Sequence, residues 1–283
     1  MDLTINKIVT ISPGIRINVN LTSPVSSNNT IQQPPTLVFL HFWGGSSSTF
    51  STVINLLSSK YPTISLDFCG WRNSTSPEDT LAYSIDQLAT DVEHILSDHN
   101  LSDHNHTINN FVLIGHSMGG KVAQMVAGRE KIALISLILI ASAPPSPLRL
   151  LDDMKDTQIH AYDNSTSAEY VVRNVLTAST IDDATISTLV ADMVKDRPEA
   201  KAAWPAYAMA EDITEWTKKI NVPVLVVGGE GDQVETINQL KKEICGMISQ
   251  AKLVILGGGH LIPVEKPDLL AGEISRFLNN IQN

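Results

Sequence analysis

Residues 111–124 read FVLIGHSMGGKVAQ. The apolar run Phe111 to Ile114 leads into a turn where Gly115, Gly119 and Gly120 surround Ser117. Short apolar runs of this kind fill the middle of a parallel sheet, and Lys121 to Ala127 reads as a helix. The turn therefore joins a buried strand to a helix. Gly115 and Gly119 lack a Cβ and let the two elements approach closely. Ser117 then sits at the apex, strained, with its hydroxyl exposed at the sheet edge. That is the physical content of the G-x-S-x-G nucleophile elbow. A glycine-rich turn whose serine only caps the helix has the same five letters, so the rest of the chain must decide.

Working outward, the chain alternates strand and helix, which implies a mainly parallel sheet covered by helices on both faces. Upstream, Asn6–Ile11 and Ile15–Leu21 flank Pro13 and Gly14 and predict an antiparallel hairpin. A polar stretch, Ser23 to Gln33, follows as a surface loop. Further strands are predicted at Thr36–His41, Thr63–Asp67, Leu134–Ile140, Val222–Val227 and Lys252–Leu256. Helical periodicity places Ile85, Leu88, Val92 and Ile95 on one face, and Ile237, Leu240, Ile244 and Met247 on another. A last helix buries Leu270, Ile274, Phe277, Leu278 and Ile281. One interval breaks the rhythm. Roughly eighty residues separate the strand ending near Ser142 from that starting at Val222, far more than a crossover requires. The interval has helical patterns at Ala168–Leu176 and Ile186–Val194 and the alanine-rich piece EAKAAWPAYAMAED. The division is thus a core of residues 1–143 and 216–283, with a helical cap inserted at 144–215.

A nucleophilic serine needs a base, a group that orients the base, and donors for an oxyanion. All should lie beyond the carboxyl ends of strands. His260 follows the strand KLVIL and three glycines, and is the candidate base. The orienting acid is Asp232 in VPVLVVGGEGD, with Glu230 as the nearer alternative. The other place for an acid, just after Leu134–Ile140, reads Ala-Ser-Ala-Pro-Pro and has no carboxylate. The oxyanion donors are the N–H of Met118 and one from the loop HFWGGSSSTF, from Trp43 or Phe42. Phe42, Trp204, Tyr207 and Met209 are candidate pocket linings, although each fits a packed core equally well.

Composition narrows the function. The 283 residues carry a formal net charge of −10 with 18% charged and 43% hydrophobic residues, which describes a globular chain. That charge argues against nucleic acid and against anionic membrane surfaces. The start MDLTINKIVT lacks the basic and apolar regions of a secretory signal. The longest nearly apolar run, Ile132 to Ala143, is too short for a bilayer. Two cysteines, Cys69 and Cys245, cannot form a disulfide framework. A cytoplasmic protein is expected, and the sequons at Asn20, Asn73, Asn100 and Asn164 read as unused. His99, His104 and His106 cluster in a polar loop rather than a metal site. GGEGD and GGGH lack phosphate-loop spacing. No cofactor or metal is expected. His116 is expected to pack and Cys69 to be a bystander thiol.

HFWGG, the DFCGWRNS segment from Asp67, GHSMGG, VPVLVVGGEGD and GGGHLIPVEKPDLL, in this order, resemble the α/β-hydrolase superfamily over nearly the whole chain. The likeness points to the capped branch of small esterases, lactonases, carbon–carbon bond hydrolases and cofactor-free peroxidases. It implies a Ser117–His260–Asp232 triad, with Trp43 and Met118 supplying the oxyanion N–H groups. Two positions depart from the family pattern: His41-Phe42 replaces His-Gly, and Gly70-Trp71-Arg72 replaces Gly-His-Gly. A serine at position 117 excludes the branches whose nucleophile is an aspartate. The expected activity is hydrolysis of a small or medium apolar ester, lactone or thioester. The alternatives are carbon–carbon cleavage or cofactor-free lyase or cyclase chemistry on the same fold, and a ligand receptor retaining the triad.

Overall fold

The structure, a computed structural model, describes residues 3–24, 34–75, 77–97, 101 and 110–282. The polar stretch from residue 25 to residue 33 and the histidines at 99, 104 and 106 lie outside the described residues, as does Asn100.

Eight strands form one sheet: β1 (Leu3–Ser12), β2 (Ile15–Ser23), β3 (Thr36–Leu40), β4 (Thr63–Leu66), β5 (Phe111–His116), β6 (Leu134–Ile140), β7 (Val224–Gly229) and β8 (Ala251–Leu256). Their spatial order is β1-β2-β4-β3-β5-β6-β7-β8. The β1–β2 hairpin turns at Pro13-Gly14, and β2 also runs antiparallel to β4. From β4 to β8 every pairing is parallel. The carboxyl ends of β3, β5, β7 and β8 therefore share one edge. The fold is the expected one.

Side chains on successive strand positions point to opposite faces, and the core divides accordingly. Val38, Leu40 and Leu113 pack on one face with helices α2 (Ile85–Ser97) and α3 (Met118–Arg129). Leu37, Phe39, Val112 and Ile114 pack on the other with α1 (Ser51–Leu57) and the last helix. Ile85, Leu88, Val92 and Ile95 of α2 are all buried, as their spacing predicts.

Between β6 and β7 lie α4 (Asp152–Ile159), α5 (Ser165–Val171), α6 (Asp183–Lys195), α7 (Pro198–Ala206) and α8 (Thr214–Thr217). Asn164 and Asp182 cap α5 and α6 through their side chains, and Pro198 opens α7 where no N–H is needed. Beyond β7 stand α9 (Ile237–Gln239), α10 (Ile262–Glu265) and α11 (Pro267–Gln282). One periodicity is corrected. After α9 the chain widens into i→i+5 turns over Leu240–Cys245, with Gly246 N–H donating to Lys241 O. The wider turn adds a residue to the repeat, so Ile248 is buried in place of the expected Met247, which is only half-buried.

Candidate active site

Ser117 stands between β5 and α3 with φ 54° and ψ −115°. Such a conformation is strained for a residue with a Cβ and persists only where the surroundings enforce it. Here they do. The Ser117 N–H donates to Ile140 O at 3.0 Å, and its carbonyl accepts from Gly120, Lys121 and Ala143 N–H at 2.9, 3.1 and 3.1 Å. A Cβ on Gly115 would sit 2.4 Å from Gly119 O, and one on Gly119 would sit 2.5 Å from the Leu40 and His41 carbonyls. Glycine is required at both positions because the helix lies directly on β3 and β5.

Asp232 and His260 meet across the ends of β7 and β8. Asp232 Oδ2 lies 2.9 Å from His260 Nδ1, and both side chains are buried. The other carboxylate oxygen accepts from Val234 and Glu235 N–H at 2.8 and 3.0 Å, which fixes the carboxylate plane. Nδ1 is therefore the nitrogen that donates to the carboxylate, which leaves Nε2 for chemistry. Glu230 is exposed, and its N–H serves the sheet by donating to Leu256 O at 2.8 Å. Of the two candidate acids, Asp232 is the one that reaches the imidazole.

The backbone of His260 is held as tightly as its ring. His260 and Leu261 N–H both donate to Leu176 O, at 2.8 and 3.1 Å, and His116 Nε2 donates to His260 O at 2.8 Å. Glu265 accepts from Gly259 N–H at 2.8 Å through one oxygen. Through the other it accepts from Ala178 N–H, Ser179 N–H and Ser179 Oγ at 3.0, 2.8 and 2.6 Å. One buried carboxylate thus ties the histidine loop to the segment after α5.

Met118 opens α3, so its N–H is among those a helix leaves without an internal acceptor. The loop after β3 brings Trp43 to the same edge. Trp43 stacks on Tyr162 with ring centroids 4.3 Å apart, and its indole N–H donates to Lys201 O at 2.9 Å. Phe42 turns its ring inward onto His116, at 5.0 Å between centroids. His41 beneath it donates from Nδ1 to Phe42 O and accepts from Phe68 N–H at Nε2, at 2.8 and 3.0 Å. Burial lowers its pKa, consistent with that neutral form. Asp192 of α6 accepts from Ser46 and Ser48 hydroxyls at 2.7 and 2.8 Å and pairs with Arg72. Trp71 fills the space against His41. The two departures from the family pattern are thus absorbed by packing, and α6 and α7 rest on this loop.

Trp204 and Met209 are buried in the cluster that continues into the sheet, while Tyr207 is half-buried and donates to Thr80 O. His116 packs as expected. Burial first, then the neighbouring His260, hold its pKa well below the usual value. The Cys69 thiol is pushed up to about 12 by burial, leaving it unreactive. Sequence reasoning missed Lys121, Glu235 and Glu265. Only Lys121 had a readable signal, as a lone charge among the apolar residues of MGGKVAQMVA.

Among the described residues no helix is long and apolar enough to cross a membrane. A model of the alpha/beta hydrolase family matches residues 37–273. The uncharacterized hydrolase YugF of Bacillus subtilis is 28% identical over 253 residues, covering 86% of this chain and 89% of that protein. The 3-oxoadipate enol-lactonase 2 of Acinetobacter baylyi is 26% identical over 235 residues, covering 82% and 84%. Among solved structures, an esterase from Exiguobacterium antarcticum superposes with a TM-score of 0.83 at 19% identity, covering 97% of this chain and all (100%) of that one.

Proposed function

The chain belongs to the alpha/beta hydrolase family, and from that footing we propose that it is a serine hydrolase cleaving a carboxylic ester, lactone or thioester through an acyl-enzyme. The observation that carries the reading is the buried His260–Asp232 hydrogen bond, which points the free imidazole nitrogen away from the acid. The strained Ser117 at the carboxyl end of β5, on the same edge of the sheet, supplies the nucleophile. Esterase and lactonase activities named among the relatives support a carbonyl substrate of this kind.

In the proposed reaction Ser117 Oγ attacks the carbonyl carbon while His260 Nε2 accepts the hydroxyl proton. The carbonyl π bond opens onto oxygen, and the Trp43 and Met118 N–H groups stabilise that oxyanion. Collapse breaks the bond to the leaving alcohol or thiol, to which His260 returns the proton. Water, deprotonated by the same imidazole, then releases the acid and restores Ser117. Asp232 holds the ring and stabilises its charged form. Residues 144–215 serve as a lid over the serine. The Trp43–Tyr162 stack and the Leu176–His260 bonds support that role, because they tie this segment to both sides of the site.

Rapid-quench mass spectrometry with a p-nitrophenyl ester tests the proposal. A transient gain of one acyl mass on the Ser117 peptide is expected. Turnover with no such intermediate, or an adduct on another residue, contradicts it.

A further inference from the structure

The loop after β3, which carries the proposed oxyanion donor Trp43, is gripped from two sides. The core holds its inner side: Ser47 N–H donates to Asp67 Oδ1 at 2.7 Å, and Gly45 N–H to Phe42 O at 3.0 Å. The inserted helices hold its outer side. Trp43 gives its indole N–H to Lys201 O and stacks on Tyr162, whose hydroxyl donates to Trp43 O at 3.4 Å. Gly44 passes beneath that ring with φ 91°, and a Cβ there would sit 2.6 Å from Tyr162 Cε2. Asp192 of α6 takes the Ser46 and Ser48 hydroxyls on Oδ2, at 2.7 and 2.8 Å, and the Arg72 guanidinium on Oδ1.

Packing alone would not require a carboxylate at this place. Asp192 is 7% exposed and Ser46 is fully buried. A buried carboxylate is costly unless donors meet it, and an apolar side chain would join helix and loop at less expense. What the carboxylate adds is direction, because two hydroxyls and a guanidinium converge on it. Ser46 passes that direction into the backbone: its hydroxyl accepts from Ser48 N–H at 3.1 Å, and its N–H donates to Thr49 Oγ1 at 3.2 Å. Gly44 and Gly45 have no side chains to fix their own torsions, so the residues on either side, Trp43 and Ser46, must do so. The demand on them is strict. An oxyanion donor works at roughly 2.7–3.1 Å from the oxygen it stabilises, and a displacement of about 1 Å can cost on the order of 10²-fold in rate.

We propose that Asp192 is a positioning residue for the oxyanion hole. It fixes the loop through Ser46 and Ser48, so that the Trp43 N–H points at the oxygen where negative charge develops. The cap then assists the chemistry as well as covering it. The inference rests on the serine-hydrolase reading for the reaction, though not for the grip on the loop.

The test starts from Asp192→Ala and a p-nitrophenyl ester. The variant should lower kcat at least about tenfold with KM nearly unchanged, as when a contact made only in the transition state is lost. An alkyl trifluoromethyl ketone reads the hole directly. Ser117 Oγ adds to its carbonyl carbon, the hydroxyl proton passes to His260, and the carbonyl oxygen becomes an oxyanion. Its Ki should rise by the factor that kcat falls, while the Ki of the matching trifluoromethyl alcohol, which forms no oxyanion, stays constant. Asp192→Asn, which keeps an oxygen for the two hydroxyls, should retain more activity than Asp192→Ala. Wild-type kcat in Asp192→Ala overturns the proposal, as does a rise in KM alone or an equal rise in both Ki values. If Asp192→Ala lacks the circular dichroism of a folded chain, Ser48→Ala, at a half-buried position, decides by the same constants. Hydrogen exchange in the peptide spanning residues 41–50 judges the grip without the reaction. Asp192→Ala, or Ser48→Ala in its place, should speed exchange there and leave β5 unchanged; unchanged exchange in the loop overturns the proposal. A wild type that turns over no ester, beside a variant whose loop exchanges faster, fails the hydrolase reading and leaves the grip standing.

Discussion

The backbone at Ser117 is held in a conformation costing on the order of 1–3 kcal/mol, although the hydroxyl itself caps nothing. Strain with no structural return is expected of a nucleophile, which the fold aims rather than uses. Ser117→Ala should therefore lower turnover on the order of 10³-fold or more while the melting temperature stays nearly constant. An alanine variant with near-normal turnover sinks the assignment. Asp232→Asn should also cost heavily, because asparagine cannot stabilise an imidazolium and favours the wrong tautomer. Glu230→Gln should be mild, since Glu230 is exposed; paired kcat values decide, and reversed effects would make Glu230 the acid. These residues were legible in the sequence because each follows a strand whose apolar run marks it. Glu265 and Glu235 were not. Each reads as an ordinary loop or helix carboxylate until tertiary packing buries it against donors or against nothing.

At the scale of elements, the histidine loop and the segment after α5 behave as one piece, joined through Glu265 and Leu176. The Glu265 carboxylate accepts four hydrogen bonds, one at Oε1 and three at Oε2. Glu265→Gln turns an amide N–H toward backbone N–H groups and should loosen His260. The expected readout is a fall in kcat larger than any change in KM, with circular dichroism unchanged. A variant with wild-type kcat shows that the loop holds itself. Trp204 in α7 is 5% exposed within the cluster shared with the sheet. Trp204→Ala should cost roughly 3–5 kcal/mol in denaturant unfolding. Unchanged stability with an altered ratio between short and bulky esters would instead make it a pocket wall. The existence of these helices was readable from periodicity and from the length of the interval. Their seating was not, because Tyr162 on Trp43 and Asp192 on the Ser46 loop join residues more than a hundred positions apart. The widened turn after Gln239 was also unreadable, since an i→i+5 repeat leaves no distinct apolar period over so short a span.

For the whole molecule, the apolar runs mark the strands, and the structure reproduces every predicted strand to within a few residues. Buried charge is the property that composition conceals. Asp196 is pushed up to about 8 by burial, with Arg72 N–H opposing and Asp192 adding. The unfolded chain releases that proton near 3.8, so between these values the folded state holds more protons, and stability falls as pH rises. Asp196→Asn should flatten that decline, and urea midpoints at pH 5 and pH 8.5 measure it. An unchanged slope would assign the pH dependence to other groups. Fluorophosphonate labelling followed by peptide mapping decides whether Ser117 is the nucleophile. One covalent adduct is expected, on Ser117, forming much more slowly in His260→Ala and absent from Ser117→Ala. A wild-type protein that stays unlabelled, or carries its adduct on another residue, would contradict it.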